Sequence, residues 1–348
     1  HYIFYGKIET SKIACTFKPK TLKGKEKQEQ SMSTKILAAI KKQLKLPAIV
    51  APMFLVSGPD SVIQSCKEGL MGSFPGPNAR TIEDLRNWFK IIDTNLKHED
   101  APWAFNMITH NSYGRFDEEI ALVEEFKPKI VITALGGPHR VTQQVHEYGG
   151  LVFADVNSPT FAKKAIDRGA DGLVLVCTGA GGHTGEYALM PFLDEVRSFF
   201  DGPLIVGGGI GNGRSIRAVE NLGVDFAYIG TRFLAAKETL ISDAYRQMVW
   251  ESQMEDIIQS RAITGALGNW MKASVEASGL SLDDTKKIAK IDFSGDMHAG
   301  SKAWKTVWSA GQGVGSVKDP ETIKEIIDTL KKEYVSAVER QFIGSQYL

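Results

Sequence analysis

Two glycine-rich segments follow consecutive apolar runs of the chain, and their residue types suit the binding of a phosphate. They are Leu204-Ile-Val-Gly-Gly-Gly-Ile-Gly-Asn-Gly213 and Tyr228-Ile-Gly-Thr-Arg-Phe233. Backbone N–H groups bind an anion where the main chain approaches it closely, often at positive φ, which glycine permits and a Cβ obstructs. The candidate phosphate ligands are therefore Gly207, Gly208, Gly209 and Gly211, with Gly230 and Thr231 as further donors.

A helix is predicted directly after the first glycine segment. Ile216, Val219 and Leu222 recur at helical spacing, which indicates a helix over residues 214–222 with its N-terminal dipole facing the anion. Tight turns of an ordinary α/β protein would explain either glycine segment alone. Two segments on consecutive strands favour a phosphate site, because such sites follow strands 7 and 8 in many (β/α)8 barrels.

One histidine lies between glycines in the segment Cys177-Thr-Gly-Ala-Gly-Gly-His-Thr-Gly185. Flexible backbone on both sides would let the imidazole of His183 project over a bound ligand. Histidine titrates near neutral pH, so it can act as an acid, a base or a hydrogen-bond donor without a metal. A histidine that packs against or caps a turn is the alternative, and the neighbouring phosphate segments favour the catalytic role.

Three other places offer candidate ligand contacts. Ala51, Pro52 and Met53 end the first apolar run and provide an apolar surface suited to the flat face of an aromatic cofactor ring. Asn106 sits in an apolar run and needs a partner, because burying its amide unsatisfied costs about 1–3 kcal/mol. The third is a glycine-rich loop, Trp308-Ser-Ala-Gly-Gln-Gly-Val-Gly315, for which a surface turn is the alternative.

Several classes of protein lack support in the sequence. It contains no G-x-S-x-G, P-loop or H-E-x-x-H segment, which argues against serine hydrolases, NTPases and zinc peptidases. Cys15, Cys66 and Cys177 are an odd number without metal-ligand spacing, so neither a disulfide framework nor a metal site is expected. The formal net charge is zero and the body of the chain has no long basic block, so nucleic acid is not an expected partner.

Composition indicates a soluble globular protein. The chain has 348 residues, of which 43% are hydrophobic and 24% charged. It has no apolar run of about 18 residues and no signal-peptide core, so we expect no transmembrane helix, no membrane partner and a cytoplasmic location. Residues 1–31 contain seven lysines and three glutamates with little periodicity, which predicts a disordered tail or an artificial extension.

The rest of the chain alternates short apolar runs with amphipathic segments, the pattern of a parallel sheet with crossover helices. Eight such units favour a closed (β/α)8 TIM barrel over an open sheet, in which the glycine motif normally follows the first strand. The predicted strands are Ala48 to Phe54, Leu70 to Phe74, Trp103 to Ile108, Ile130 to Leu135, Leu151 to Val156, Gly172 to Cys177, Leu204 to Gly208 and Phe226 to Gly230.

The predicted barrel covers residues 32–234 and 304–340, interrupted by an inserted helical cap subdomain over residues 235–303. The cap is inferred because Asp243 to Glu255 and Asn269 to Ala277 have helical patterns and no clear strand occurs between them. Asp319 and Pro320 are expected to be the N-cap and first residue of a last helix that closes the barrel.

Taken together, five of these segments resemble the nitronate monooxygenase family, formerly called 2-nitropropane dioxygenases, over about residues 45 to 335. The resemblance implies an FMN-dependent barrel that oxidises alkyl nitronates with molecular oxygen to a carbonyl compound and nitrite. The segments are Ala51-Pro-Met53, Gly169-Ala-Asp-Gly172 leading into Gly179-Ala-Gly-Gly-His-Thr-Gly185, Gly207-Gly-Gly-Ile210, Gly230-Thr-Arg-Phe233 and Trp308-Ser-Ala-Gly-Gln-Gly-Val-Gly315.

The resemblance also assigns roles to residues of this chain. It places the FMN phosphate at Gly208, Gly209, Gly230 and Thr231, and the flavin ring near Ala51, Pro52, Met53 and Asn106. Gly182 and Gly207 complete the expected cofactor contacts. His183 would face the substrate over the flavin, and Ser309 would line the substrate site.

The chain departs from the family pattern at two points. Met53 is followed by Phe-Leu-Val where the family has a glutamine or similar polar residue, so the ring pocket is expected to be more apolar. Asp155 stands near a point where many relatives have threonine or a basic residue. If it points inward, its negative charge disfavours an anionic reduced flavin or substrate.

Several alternatives remain open from the sequence. His183 either stabilises the anionic nitro oxygens or acts as a base, in which case neutral nitroalkanes would also be consumed. The main alternative function is that of an FMN-dependent enoyl-acyl-carrier-protein reductase, which has a similar Gly-Gly-His-x-Gly loop and needs a reduced nicotinamide. A flavin-binding sensor without turnover would leave His183 without a task. The expected partners are a nitronate and O2, and the chain could form an oligomer.

Overall fold

The computed structural model describes residues 24–280 and 307–343. Eight parallel strands form the main sheet in the order β1-β9-β8-β6-β5-β4-β3-β2, and β10, β11 and β7 form a second, antiparallel sheet. Their bounds are β1 (Ala48–Val50), β2 (Ser73–Pro75), β3 (Ala104–Ile108), β4 (Ile130–Ala134), β5 (Leu151–Val156), β6 (Gly172–Val176), β7 (Gly182–His183), β8 (Leu204–Gly207), β9 (Phe226–Ile229), β10 (Ile257–Ser260) and β11 (Gly268–Met271).

The main sheet closes on itself. Ile49 of β1 forms a parallel bridge with Met71, two residues before β2, and the Val50 N–H donates to the Met71 carbonyl at 2.9 Å. Closure removes the exposed strand edges that an open sheet would leave. The structure therefore confirms the TIM barrel, and each of its eight strands overlaps one of the predicted apolar runs.

Helices cover the outside of the barrel and alternate with its strands. Hydroxyl side chains begin several of them: Thr81 caps α3 through the Asp84 N–H, and Ser158 caps α6 through the Phe161 N–H. The helices are α1 (Gly24–Gln43), α2 (Pro59–Lys67), α3 (Ile82–Asn95), α4 (Phe116–Phe126), α5 (Thr142–Glu147), α6 (Pro159–Asp167), α7 (Leu189–Arg197), α8 (Gly213–Asn221), α9 (Thr231–Leu234), α10 (Asp243–Glu251), α11 (Lys272–Ala277) and α12 (Ile323–Ile343).

Side chains alternate between the barrel interior and the helix-covered outside along each strand. In β5, Leu151 and Phe153 belong to the apolar cluster inside the barrel, whereas Val152 and Ala154 pack outside. This alternation directs the next odd-numbered residue, Asp155, into the barrel at the C-terminal end of the strand. The interior is thus apolar at its centre and receives a carboxyl group at the end where barrel active sites form.

The insert after the barrel's last strand is not wholly helical. It contains α10 and α11, but β10 and β11 lie between them and pair antiparallel. The helix predicted from Asn269 was therefore wrong for residues 269–271, because β11 pairs on both sides, with β10 and with β7. This tertiary pairing outweighs a local helical pattern. Residues 281–303 of the predicted cap lie outside the described residues.

Two predicted boundaries differ from the structure. The last helix begins at Ile323 rather than at Pro320, because Thr322 and Glu325 form a reciprocal N-terminal cap with distances of 2.7 and 3.2 Å. The predicted tail overlaps α1, which begins at Gly24 and packs Leu37 and Ile40 against the barrel interior. Residues 1–23 of that tail lie outside the described residues.

Within the described ranges, no helix is both long and apolar enough to span a bilayer.

Candidate functional site

The loop after β8 has the backbone conformation that the glycines predict. Gly208 has φ +136° and Gly209 has φ +74°. A Cβ on Gly208 would lie 2.9 Å from the Cβ of Cys177, so the close approach of two loops requires glycine there. A Cβ on Gly209 would meet no described heavy atom within 4 Å. The loop therefore has open space beside Gly209, in which an anion can bind.

The N–H groups at the start of α8 donate to groups of the protein itself. The Gly213 N–H donates to Glu333 Oε2 of α12 at 2.8 Å, and the Ser215 N–H donates to Asn212 Oδ1 at 2.9 Å. A carboxylate of the protein thus already interacts with this positive helix end. That the α8 dipole faces a bound anion stays a prediction, and the other candidate anion contacts lie in the preceding glycine loop and the segment after β9.

The C-terminal glycine-rich loop connects the predicted phosphate residues to the histidine loop. The Gly311 N–H donates to Thr231 Oγ1 at 2.9 Å, and the Gln312 N–H donates to the Gly179 carbonyl at 3.0 Å. A Cβ on Gly311 would come within 2.5 Å of that carbonyl. The loop is therefore a partly buried junction between two other loops rather than a free surface turn. The Thr231 hydroxyl, which accepts here, retains its own proton to donate.

His183 lies in a short strand and not in the flexible loop that its glycine neighbours suggested. In β7, Gly182 pairs with Asn269 and His183 pairs with Gly268 of β11. The Thr184 N–H extends the pairing to the Leu267 carbonyl at 3.0 Å. Glycine is nevertheless required at position 182, where φ is +68°. The insert therefore fixes the backbone that carries the histidine.

Asn269 is a site residue that the sequence analysis missed. Its buried Nδ2 donates to the carbonyls of Thr178 at 2.8 Å and Ala180 at 2.7 Å, both in the histidine loop. Arg261 of the insert also pairs with Glu186 at 2.5 Å. The available signal was an amide between glycine and tryptophan, at a position that the sequence pattern placed at the start of a helix.

The environment of His183 favours a neutral imidazole. Its Nε2 lies 3.1 Å from Thr264 Oγ1, a hydroxyl of the insert. Desolvation by the surrounding loops lowers the pKa of His183 to about 4, although the residue has substantial solvent exposure. Solvent contact limits this shift, and even the ordinary pKa of about 6.5 leaves the ring mainly neutral at pH 7. A neutral imidazole can donate one hydrogen bond and accept another.

The segment predicted to contact the cofactor ring lies beside the predicted phosphate segment. The Ala51 N–H donates to the Ile229 carbonyl at 2.9 Å. The Met53 Sδ lies 3.6 Å from the position that a Cβ would take on Gly230. These contacts bring the ends of β1 and β9 together, so one ligand could touch both segments.

Asn78 holds the segment after β1 and was also missed. Its Nδ2 donates to the carbonyls of Met53 at 2.9 Å and Ser57 at 2.7 Å, while its Oδ1 accepts from the Leu55 N–H at 2.7 Å. Leu55 has φ 61°, a conformation that L-residues rarely adopt. The three hydrogen bonds compensate for this strained turn and fix the apolar wall formed by Met53.

Polar groups meet inside the C-terminal end of the barrel. Asn106 Nδ2 donates to the Ile132 carbonyl at 3.2 Å and lies 3.5 Å from Asp155 Oδ2. Burial raises the pKa of Asp155 to about 7. Among the described residues, the buried atoms Asp155 Oδ1 and Tyr228 Oη have no hydrogen-bond partner. Such atoms are costly unless a ligand or water satisfies them.

Ser309 lies at the edge of a recess of about 150 Å³. Its carbonyl accepts a hydrogen bond from Tyr245 Oη at 2.6 Å, and the Tyr245 ring stacks on Trp308 with centroids 4.8 Å apart. None of the residues lining the recess is charged at neutral pH. They are Phe54, Leu55, Leu240, Ile241, Ser242, Tyr245, Val307, Trp308 and Ser309.

The cysteines offer no catalytic thiolate in the described parts of the chain. Cys66 and Cys177 are free and buried, and burial raises the pKa of each to about 12. Thiols with such values stay protonated near neutral pH. Cys15 lies outside the described residues. Within residues 24–280 and 307–343, no group of three or more His, Cys, Asp and Glu side chains is arranged to bind a metal.

Several known proteins are similar to this chain in sequence. A nitronate monooxygenase from Paraburkholderia phytofirmans is 26% identical over 279 residues, covering 67% of this chain and 75% of that protein. A putative monooxygenase from Mycobacterium tuberculosis is 24% identical, with 60% of each protein covered. A hydroxy-methyl-oxo-octahydroindene-carboxyl-CoA dehydrogenase from Rhodococcus jostii is 24% identical, covering 67% of this chain and 65% of the relative. The matches thus span less than two thirds of the last two relatives.

Solved structures share the barrel. Nitroalkane oxidase from Streptomyces ansochromogenes has a TM-score of 0.75 at 21% identity, with 87% of this chain and 99% of that chain covered. FabK from Thermotoga maritima has a TM-score of 0.72 at 22% identity, with 88% and 97% covered. At these identities the likeness establishes the fold alone. The sequence model of the nitronate monooxygenase family matches residues 78–333. Because that match includes both glycine segments and the histidine loop, the chain belongs to the nitronate monooxygenase family.

Proposed function

We propose that this protein oxidises alkyl nitronates with molecular oxygen, using bound FMN, and releases a carbonyl compound and nitrite. The observation that carries the proposal is one continuous set of contacts: the open Gly208–Gly209 loop approaches Cys177, and Gly311 joins Thr231 to the loop that carries His183. A phosphate-binding edge and a neutral imidazole are thereby held in one structural unit. Family membership supports the same activity.

The described residues fit FMN in three respects. Gly208, Gly209 and Thr231 offer backbone and hydroxyl donors to a phosphate beside open space. Met53 and its neighbours provide an apolar wall for the ring. The unpartnered polar atoms of Asp155 and Tyr228 lie at the barrel end where a ring bound in this way would rest. We therefore assign the phosphate to Gly207, Gly208, Gly209, Gly230 and Thr231, and the ring to Ala51, Pro52, Met53, Asn106 and Gly182.

The chain's own residues then position the substrate. FMN, when bound, supplies the electron-accepting chemistry. His183 binds the nitronate through a ring N–H, which donates to an anionic nitro oxygen, and Thr264 orients the imidazole. Ser309 and the recess receive the substituent of the nitronate and exclude water from it. A neutral His183 can also act as a base toward a nitroalkane, which widens the substrates to neutral nitro compounds.

An FMN-dependent enoyl-acyl-carrier-protein reductase is the second candidate. Its support is the shared fold, since an enoyl reductase domain of MlnA from Bacillus amyloliquefaciens has a TM-score of 0.63 at 14% identity. The uncharged recess would also suit part of an acyl chain. This function requires a reduced nicotinamide as the electron donor, which the nitronate reaction does not. The two candidates therefore predict different reductants.

Anaerobic reduction of the flavin separates these functions. The protein is purified, loaded with FMN, and mixed without oxygen with either propyl-1-nitronate or NADH and NADPH, while absorbance near 450 nm is followed. Bleaching by the nitronate alone supports the monooxygenase, and rapid bleaching by a nicotinamide alone supports the reductase. Protein that does not bind FMN would contradict both.

We further propose a cytoplasmic site of action and a nitronate and O2 as the small-molecule partners.

A further inference from the structure

Asp155 is a half-buried residue whose carboxyl oxygen Oδ1 is buried, and the mechanism above gives it no role. The alternation of side chains along β5 directs Asp155 into the barrel. There, Asn106 Nδ2 of β3 lies 3.5 Å from Asp155 Oδ2. Its other oxygen is enclosed and has no partner among the described residues. An apolar residue would avoid this desolvation cost. The carboxyl is thus unfavourable for the protein alone, which suggests that a bound group interacts with it.

Tyr228 places a second unsatisfied group in the same region. Its hydroxyl is buried without a partner in the described structure, and the charge of Asp155 acts on it. Tyr228 pairs with Gly207, the first glycine of the proposed phosphate loop, and precedes Gly230 by two residues. Asn157, two residues after Asp155, lies 3.5 Å from the Cβ position of Gly185 in the histidine loop. Both polar groups therefore lie next to the proposed cofactor-binding loops.

We propose that Asp155 and Tyr228 face the flavin ring from the barrel side and that Asp155 sets the reduction potential of the bound FMN. This inference rests on the proposed function, because it requires FMN at the barrel mouth. Neither residue is assigned a role by the resemblance to the family. Asp155 is a positioning and tuning residue, and the redox chemistry remains that of the cofactor.

The charge state of Asp155 determines how this residue changes the reduction potential of the bound FMN. Two-electron reduction adds negative charge to the ring unless a second proton is taken up, so an ionised carboxylate beside the ring opposes reduction. A protonated carboxyl instead donates a hydrogen bond and removes that repulsion. Burial supports a protonated form up to nearly neutral pH. Of the described groups that act on Asp155, Asn106 does not titrate and Tyr228 stays protonated, because burial raises its pKa well above 10.

The test is the reduction potential of FMN in the holoprotein with Asp155→Asn, measured against a reference dye at pH 8 and pH 5.5. At pH 8 the variant should favour reduced FMN at least tenfold more than the wild type, or about 30 mV for a two-electron couple. At pH 5.5 the difference should shrink to less than about threefold, because Asp155 is then protonated in the wild type. The matched control is Asp167→Asn, which removes an exposed carboxylate at the end of α6. It should change the ratio of reduced to oxidised FMN less than twofold.

The outcomes distinguish this inference from the proposed function. If wild-type protein binds no FMN, the proposed function fails and this inference fails with it. If both proteins bind FMN and the variant favours reduced FMN less than tenfold more than the wild type at pH 8, only the role of Asp155 is overturned. Asp155→Ser is the second variant if Asp155→Asn does not fold, with the same expectation at pH 8. Tyr228→Phe should alter the absorption spectrum of oxidised FMN, and an unchanged spectrum would remove Tyr228 from the proposal.

Discussion

The ring of His183 and the hydroxyl of Thr264 lie 3.1 Å apart, although the two residues belong to different parts of the chain. His183 follows a barrel strand, whereas Thr264 lies between the two strands of the insert. The backbone of His183 is paired with the same insert through Gly268. Both the main chain and one ring nitrogen of the proposed catalytic residue are therefore positioned from outside the barrel.

Replacement of His183 by asparagine should separate turnover from cofactor binding. Asparagine retains an N–H donor but neither reaches as far nor acts as a base, so kcat/KM for a nitronate should fall about 10²–10⁴-fold. FMN affinity should stay within about twofold of the wild type, because the residues proposed to bind the phosphate lie on other loops. Stopped-flow bleaching of FMN and fluorescence titration measure the two quantities. His98→Asn, at an exposed histidine, is the control, and equal rates in the two variants would exclude His183 from the mechanism.

Thr264→Val tests whether the hydroxyl positions the imidazole. Valine has nearly the same shape but cannot hydrogen-bond, so the ring loses its fixed orientation and kcat should fall roughly tenfold. Thr264→Ser restores the hydroxyl and should recover most of this rate. A purely structural role would instead lower the melting temperature without changing kcat, and that result would contradict the positioning role.

The barrel was predictable from the sequence because its signals are local. Apolar runs such as those of β4 and β5 have a period and length that identify strands without tertiary information. The positive φ of Gly208 and Gly209 was likewise predictable, since glycine clusters mark such conformations. The site residues named from motifs are those whose chemistry is visible in a short stretch of chain.

The missed residues act through long-range contacts. Asn269 contacts carbonyls 89 and 91 residues earlier in the chain, and Asn78 contacts a turn 21 to 25 residues earlier. Neither pairing leaves a periodic signal. The strand character of β11 and the pairing of Glu333 with the start of α8 also depend on elements distant in sequence. Tertiary contacts thus decided the parts of the site that local patterns left open.

Gly209→Ala should weaken FMN binding. A methyl group there meets no described atom, but φ of +74° strains an alanine and the added group would enter the space assigned to the phosphate. We expect at least a tenfold rise in Kd, about 1.4 kcal/mol. Gly149→Ala is a matched control. Its φ is +78° and the space around its Cβ position is equally open, but the residue lies far along the chain from the residues proposed to bind the phosphate.

Both variants should lose similar stability from backbone strain, roughly 1 kcal/mol, as judged by urea unfolding of the apoproteins. Only Gly209→Ala should lose FMN affinity in a fluorescence titration. Equal affinity in the two variants would remove Gly209 from the phosphate site.

The uncharged recess predicts which substituents the substrate carries. A cavity of about 150 Å³ is large enough for a benzene-sized group, whereas a carboxylate would lose hydration there without a cationic partner among the lining residues. The nitronate of 2-phenylnitroethane should therefore show a kcat/KM at least about tenfold above that of propionate 3-nitronate. Leu240→Ala should reduce this preference while leaving the smaller 2-nitropropane nitronate unaffected, and preference for the carboxylate substrate would contradict the assignment.

The stability of the apoprotein should depend on pH through Asp155. Burial raises its folded-state pKa to about 7, whereas the unfolded chain has the ordinary value of about 3.9. Between these values the folded state holds a proton that the unfolded state has lost, so stability falls as pH rises from about 4 to about 7. This contribution, roughly 2–4 kcal/mol in total, is absent from Asp155→Asn.

Urea unfolding of wild type and Asp155→Asn at several pH values between 4.5 and 8 therefore measures the effect directly. The wild type should lose stability relative to the variant across this window, because the variant carries no proton to release. Glu119, whose pKa burial also raises to about 7, contributes equally to both proteins and cancels in the difference. A difference that stays constant with pH would mean that Asp155 is ionised throughout, and the flavin potential would then have no Asp155-dependent pH response in this range.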